Sequence, residues 1–200
     1  MRKFQYCGLL AAMVCLAACG KQERREAALL CQTLSQKQAD LAAVNALEKD
    51  LLGSTRSWCD GIVNNGGGKG KELEENAESA KTLALSAGAV ANQLGQLRQA
   101  IYDLPLKEEY PQSVRGVLIN QILHRQKMLQ DVRMALDASA AGFLDAARSR
   151  AYVGDTYPAG IDKLHSLVSG YSGPEDALGK AIQDLKVKYT LRDVDLAGKT

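Results

Sequence analysis

The chain predicts an all-α fold, an antiparallel bundle of about four main helices with short extra helices. Three observations predict it. Apolar residues recur at three- and four-residue spacing through three long stretches, the rhythm of one helix face. No stretch alternates with period two, as a half-buried strand would. Clusters of Gly, Asn and Pro interrupt the pattern where an antiparallel bundle needs its turns.

The first helix is expected over about 24–52, with Leu30, Leu34, Leu41, Val44, Leu47 and Leu51 on one face and Gly53-Ser54 ending it. Residues 54–63 are then expected to return against it, carrying Trp58 and Cys59. Asn64-Asn65-Gly66-Gly67-Gly68-Lys69-Gly70 reads as loop, because such a cluster cannot sustain a helix. A second helix is expected over about 71–104. Its stripe is Leu73, Ala77, Ala80, Ala84, Ala87, Val90, Leu94, Leu97, Ile101 and Leu104, close to a heptad repeat and small enough for close packing.

Pro105 and Pro111 bracket a linker over 105–110, and Pro111 suits the first turn of the next helix. That third helix is expected over about 112–151, with Val114, Leu118, Ile122, Leu129, Val132, Leu136, Phe143 and Ala147 inward and a bend near Gly142. Residues 152–160 read as loop and 161–169 as a short helix with Leu164 and Val168 inward. Gly170-Tyr171-Ser172-Gly173 breaks the chain. Pro174-Glu175-Asp176 then opens a last helix, with a favourable proline and two acids at the positive end of its dipole. It carries Leu178, Ile182 and Leu185 and fades by Tyr189, leaving 190–200 as a flexible tail.

The N-terminus differs from the rest. Arg2 and Lys3 precede an uncharged stretch over 7–18. That run is short of the ~20 residues of a spanning helix and fits the h-region of a signal peptide. It ends in Leu16-Ala17-Ala18-Cys19-Gly20, followed by Lys21-Gln22-Glu23. This resembles the lipobox of bacterial lipoprotein precursors. The resemblance covers roughly the first twenty residues and implies removal of 1–18 and acylation of Cys19 with diacylglycerol and a further acyl chain. It also implies a stable anchor in membrane lipid, since two or more chains hold where one does not. Gly20, where enterobacterial lipoproteins kept in the inner membrane carry aspartate, points to the outer membrane, facing the periplasm. Residues 19–23 then form a short tether and 24–189 a single bundle domain close to the bilayer.

The leader also resolves the charge. The chain has 25 Lys+Arg and 23 Asp+Glu; without Arg2 and Lys3 the two balance. A neutral mature chain does not present the basic face of a nucleic-acid binder. Cys7 and Cys15 leave with the leader and Cys19 is committed to lipid, so Cys31 and Cys59 remain as an even pair in an oxidising compartment. They are expected to form a disulfide, closing a loop that would stabilise the fold by roughly 3–4 kcal/mol.

Catalytic signatures are absent from the sequence. His124 and His165 belong to neither HExxH nor a helical ligand pair, and no CxxCH, Glu-x-x-His or GxSxG occurs. The glycine loop fails as a phosphate loop, because Asn65 stands where its first glycine belongs and Glu72 where its hydroxyl belongs. Adjacent carboxylates such as Glu74-Glu75 and Glu108-Glu109 point apart on a helix. No cofactor or metal is expected. The candidate interaction surface is aromatic: Tyr152, Tyr157 and Tyr171 fall around the short helix, with Tyr102 and Tyr110 near another connection. The expected function is a monomeric, non-enzymatic interaction or structural module with a protein partner in the envelope. The alternative is a bundle holding a small apolar ligand, with Gly88, Gly95 and Gly142 leaving room between helices.

Overall fold

The computed structural model describes residues 3–149, 160–171 and 177–192, with the backbone alone for 3–19. The described residues form five helices and no strand: α1 (Lys3–Asn65), α2 (Lys71–Tyr102), α3 (Glu109–Arg148), α4 (Ile161–Ser169) and α5 (Ala177–Tyr189). The all-α fold holds, with three long helices and two short ones.

The largest departure from expectation is α1. It neither waits for residue 24 nor stops at Gly53-Ser54, but runs unbroken from Lys3 to Asn65. No flexible tether follows Cys19. Glycine inside a helix costs about 1 kcal/mol relative to alanine, and the buried stripe Leu51, Leu52, Thr55, Cys59 and Ile62 carries the helix past Gly53. The chain turns instead at 66–70, where Gly68 has φ +87 and a Cβ there would lie 2.7 Å from Glu72 Cβ. Glu72 Oε2 accepts the Lys69 amide at 3.0 Å, and Asn76 Nδ2 donates to Gly67 O at 3.1 Å.

The remaining helices fall close to their expected ranges. Pro111 sits in the first turn of α3, as its missing N–H allows. Helix α5 ends in a Schellman arrangement, with the Leu191 amide on Lys186 O and the Thr190 amide on Val187 O. Thr190 takes the left-handed φ of 51° that this requires.

The bundle expected as one domain over 24–189 divides into two compact units. The first comprises Met1–Ala39, Gln99–Gln121 and Asp176–Thr200; the second comprises Asp40–Arg98 and Ile122–Glu175. In the first unit α5 runs antiparallel to α1, since Tyr189 reaches Glu23 while Cys31 lies against Ile182 O. Leu30, Leu34, Ile101, Leu118, Leu178 and Leu185 fill its interior. In the second unit α2 runs antiparallel to α3. Arg133 lies against Gly88, and Gln126 lies against Gly95. A cluster of Ile62, Leu73, Ala77, Phe143 and Ile161 packs with Trp58, whose ring meets Phe143 edge-on at 6.0 Å.

Candidate functional site

The second unit buries a polar cluster on its core stripes. On α1 the stripe passes from Leu41 and Val44 to Glu48, which is 0 % exposed, while Leu47 is 47 % exposed. The expected stripe had assigned Leu47 inward. A helix turn of 3.6 residues allows a step of three or four, and here the step is four. On α3 the place between Ile122 and Leu129 is taken by Arg125, whose side chain is 12 % exposed. Arg125 grips Glu48 Oε2 through Nε at 3.1 Å and through a second, shorter contact from its terminal nitrogen. It also donates to Asn45 Oδ1 at 2.6 Å. The Tyr171 hydroxyl donates to Glu48 Oε1. Burial, then the Glu48 carboxylate, pushes the Tyr171 phenol well above its ordinary range. Both carboxylate oxygens are therefore committed within the unit, and the cluster fixes the register of α1, α3 and the segment after α4.

The first unit gathers a second polar and aromatic set beside Cys19. Glu26, 4 % exposed, accepts the backbone amides of Lys107 and Glu108 at 2.7 and 2.8 Å, just ahead of α3. It supplies from another helix the acceptor that an N-cap residue would supply from its own. Burial alone would raise the Glu26 pKa. The Glu108 amide, Gln22, the Lys107 amide and the Lys107 charge outweigh it and leave the carboxyl lowered. Three residues earlier, Glu23 accepts the Tyr189 hydroxyl at 2.7 Å. Burial and this carboxylate push Tyr189 upward. The Tyr189 ring meets Tyr110 at 5.9 Å, and Lys188 Nζ stands 3.0 Å from the Tyr110 ring centre, a cation–π contact. Arg24 reaches Thr190 O at 3.4 Å. Nearby, Arg115 donates to Tyr102 O and Leu104 O and closes the connection after α2.

Cys31 and Cys59 do not form the expected disulfide. Both lie on α1, where the rise over 31–59 is about 42 Å, whereas a disulfide needs Cα atoms within about 7 Å. The return segment that was to bring Cys59 back does not exist. Each is a fully buried thiol; burial, then Asp60, pushes Cys59 up to about 12. The Cys19 backbone belongs to α1, and its side chain lies outside the described residues. Tyr152 and Tyr157 also lie outside them, and Tyr171 directs its hydroxyl inward to Glu48.

His165 stands 3.3 Å from Asp60 on the surface, and His124 is exposed. Among the described residues no group of three or more His, Cys, Asp or Glu is placed to hold a metal ion, and no helix is long and apolar enough to cross a membrane. Neither a family model, nor a curated protein, nor a solved structure matches this chain.

Sequence reasoning missed Glu48, Arg125, Glu26 and Tyr189. For Arg125 a signal was present: the apolar stripe of α3 skips a turn between Ile122 and Leu129, and a charged residue stands in the gap. For Glu48 there was none, because Leu47 fills the turn between Val44 and Leu51. For Glu26 no local signal exists, because its partners lie 81 and 82 residues away.

Proposed function

We propose that the chain is a lipid-anchored bacterial envelope protein whose helical body is a non-enzymatic interaction or structural module. The observation that carries this is Leu16-Ala17-Ala18-Cys19-Gly20 at the end of a short apolar segment behind Arg2 and Lys3. Acylation of Cys19 holds the chain at a membrane, and Gly20 after it favours the outer membrane, facing the periplasm. Two features of the body support a structural duty. The buried carboxylates of Glu48 and Glu26 each spend both oxygens on partners from within their own unit, leaving neither poised for proton transfer to a substrate. Gly88 and Gly95, which had suggested room for a ligand, are where Arg133 and Gln126 lie against the α2 backbone.

Labelling host cells with radioactive palmitate tests the anchor. The chain should take up label and fractionate with membranes, and Cys19→Ser should do neither. Absence of label from the unaltered chain overturns the reading. Crosslinking in intact membranes, with Cys19→Ser as control, then identifies an envelope partner that depends on anchoring.

A further inference from the structure

Acylation at Cys19 would fix one point of the molecule at the bilayer; the side chains around that point fix which face meets the headgroups. Glu23 stands four residues from Cys19 on α1, about 6 Å along the axis. The Tyr189 hydroxyl is held on Glu23 at 2.7 Å and Thr190 O on Arg24 at 3.4 Å. The last turn of α5 is thereby held at the depth of the anchor.

The chemistry of that turn is interfacial. Val187 is 69 % exposed, a large aliphatic side chain standing between Lys186 and Lys188. Tyr110 and Tyr189 add apolar bodies with polar tips, the pairing enriched where hydrocarbon meets water. Arg24, which reaches Thr190 O, and Arg192 are exposed beside them, and Lys21 and Arg25 are exposed on the same turns of α1, while Glu23 and Glu26 turn to Tyr189 and to the Lys107 and Glu108 amides. Half-buried Glu108, whose charge acts on Tyr189, and exposed Asp184 and Glu109 oppose this positive field. From residue 19 onward the first unit nevertheless has eleven basic and nine acidic residues, and the second has twelve and fourteen.

We infer that this end of the first unit, residues 20–25 of α1 with the last turn of α5, lies against anionic phospholipid headgroups with Val187 entering the interface. The inference rests on the acylation proposed above. A basic surface with an inserted aliphatic residue is the composition that binds such a bilayer. Helix α1 runs through Cys19 without a break, so the acylated residue would hold this face at the membrane rather than on a leash.

The test uses the full acylated protein in vesicles of phosphatidylethanolamine and phosphatidylglycerol. Val187→Cys is labelled with a fluorophore, and Gln38→Cys, exposed on α1 about 29 Å along the axis from Cys19, is labelled as control. Cys31 and Cys59 are 0 % exposed and do not compete for label. Lipids brominated high on their chains should quench the label at 187 and leave that at 38 bright. Lys188→Cys, exposed in the same last turn of α5, replaces the 187 site if that substitution disturbs the fold.

An unquenched label at both α5 sites, on protein that carries acyl mass at Cys19 and floats with vesicles, overturns the inference and leaves the anchor standing. Quenching that is equal in phosphatidylcholine overturns the assignment to anionic headgroups. Absence of acyl mass at Cys19 overturns the anchor and this inference with it.

Discussion

Replacing Glu48 by alanine should be among the most damaging single changes in the second unit. Glu48 is fully buried and answers both the Arg125 guanidinium and the Tyr171 hydroxyl. Removing one member of a buried ion pair costs about 3–5 kcal/mol, because the other charge stays buried without its partner. Arg125 keeps Asn45 and has a 12 % exposed side chain, which places its share at the lower end, about 3 kcal/mol. The stranded Tyr171 hydroxyl adds about 1 kcal/mol. The sum of about 4 kcal/mol is a large part of a typical total of about 5–15 kcal/mol. The double variant Glu48→Leu/Arg125→Met removes both charges and should recover about 3 kcal/mol of that loss. Urea denaturation followed by far-ultraviolet circular dichroism measures all three stabilities. A single variant within about 1 kcal/mol of the parent, or a double variant as unstable as the single, would refute the argument.

Gly160→Ala should destabilise by about 2–4 kcal/mol, since its φ of +116° disfavours a side chain and a Cβ would lie 2.8 Å from Ala135 O. Gly53→Ala, in open space within α1, should instead stabilise by about 0.5–1 kcal/mol in the same assay. Tyr171 and Tyr189 have phenols raised in the folded state, so their contribution is complete below their ordinary value of 10.0 and is lost as pH climbs above it. An ultraviolet titration should show Tyr171 and Tyr189 ionising late. Glu26 has the opposite sign: its lowered carboxyl contributes above its ordinary value of 4.5, and that contribution fades as pH falls below it. Glu26→Gln should flatten the acid limb of a stability–pH curve. Alkylation of unreduced, denatured protein should modify both Cys31 and Cys59, while the native protein reacts slowly, both thiols being buried and Cys59 raised to about 12. An unmodified pair with the mass of a disulfide would refute the continuous α1.

Much of the fold is legible because it is amphipathic. Every α2 stripe residue from Leu73 to Ile101 is buried, and α4 falls at 161–169 as expected. Reading failed where a local signal was overruled. Gly53-Ser54 looks like a stop, yet flanking helical residues and a continuous buried stripe outweigh one glycine, and the disulfide inferred from the return at that point fails with it. Leu47 looks like core, yet Glu48 takes the place because Arg125 stands opposite. That pairing is long-range, and hydropathy ranks a leucine above a glutamate at any core position. The tyrosines were recognised as a class but grouped by proximity in sequence. The contact formed is Tyr110 with Tyr189, from segments 79 residues apart in the chain.

The Glu26 cap has a consequence for the order of events in folding. A cap supplied by a residue's own neighbours forms as soon as the segment leaves solution disorder. The start of α3 has an acceptor 81 residues upstream, so a long loop must close before the amides of Lys107 and Glu108 find it. In a chain emerging N-terminus first, Glu26 waits as a hydrated carboxylate until the second long helix has been delivered. The first turn of α3 therefore forms late, with contacts of high sequence separation setting its pace. Glu26→Gln should accordingly speed unfolding and leave the folding rate almost unchanged.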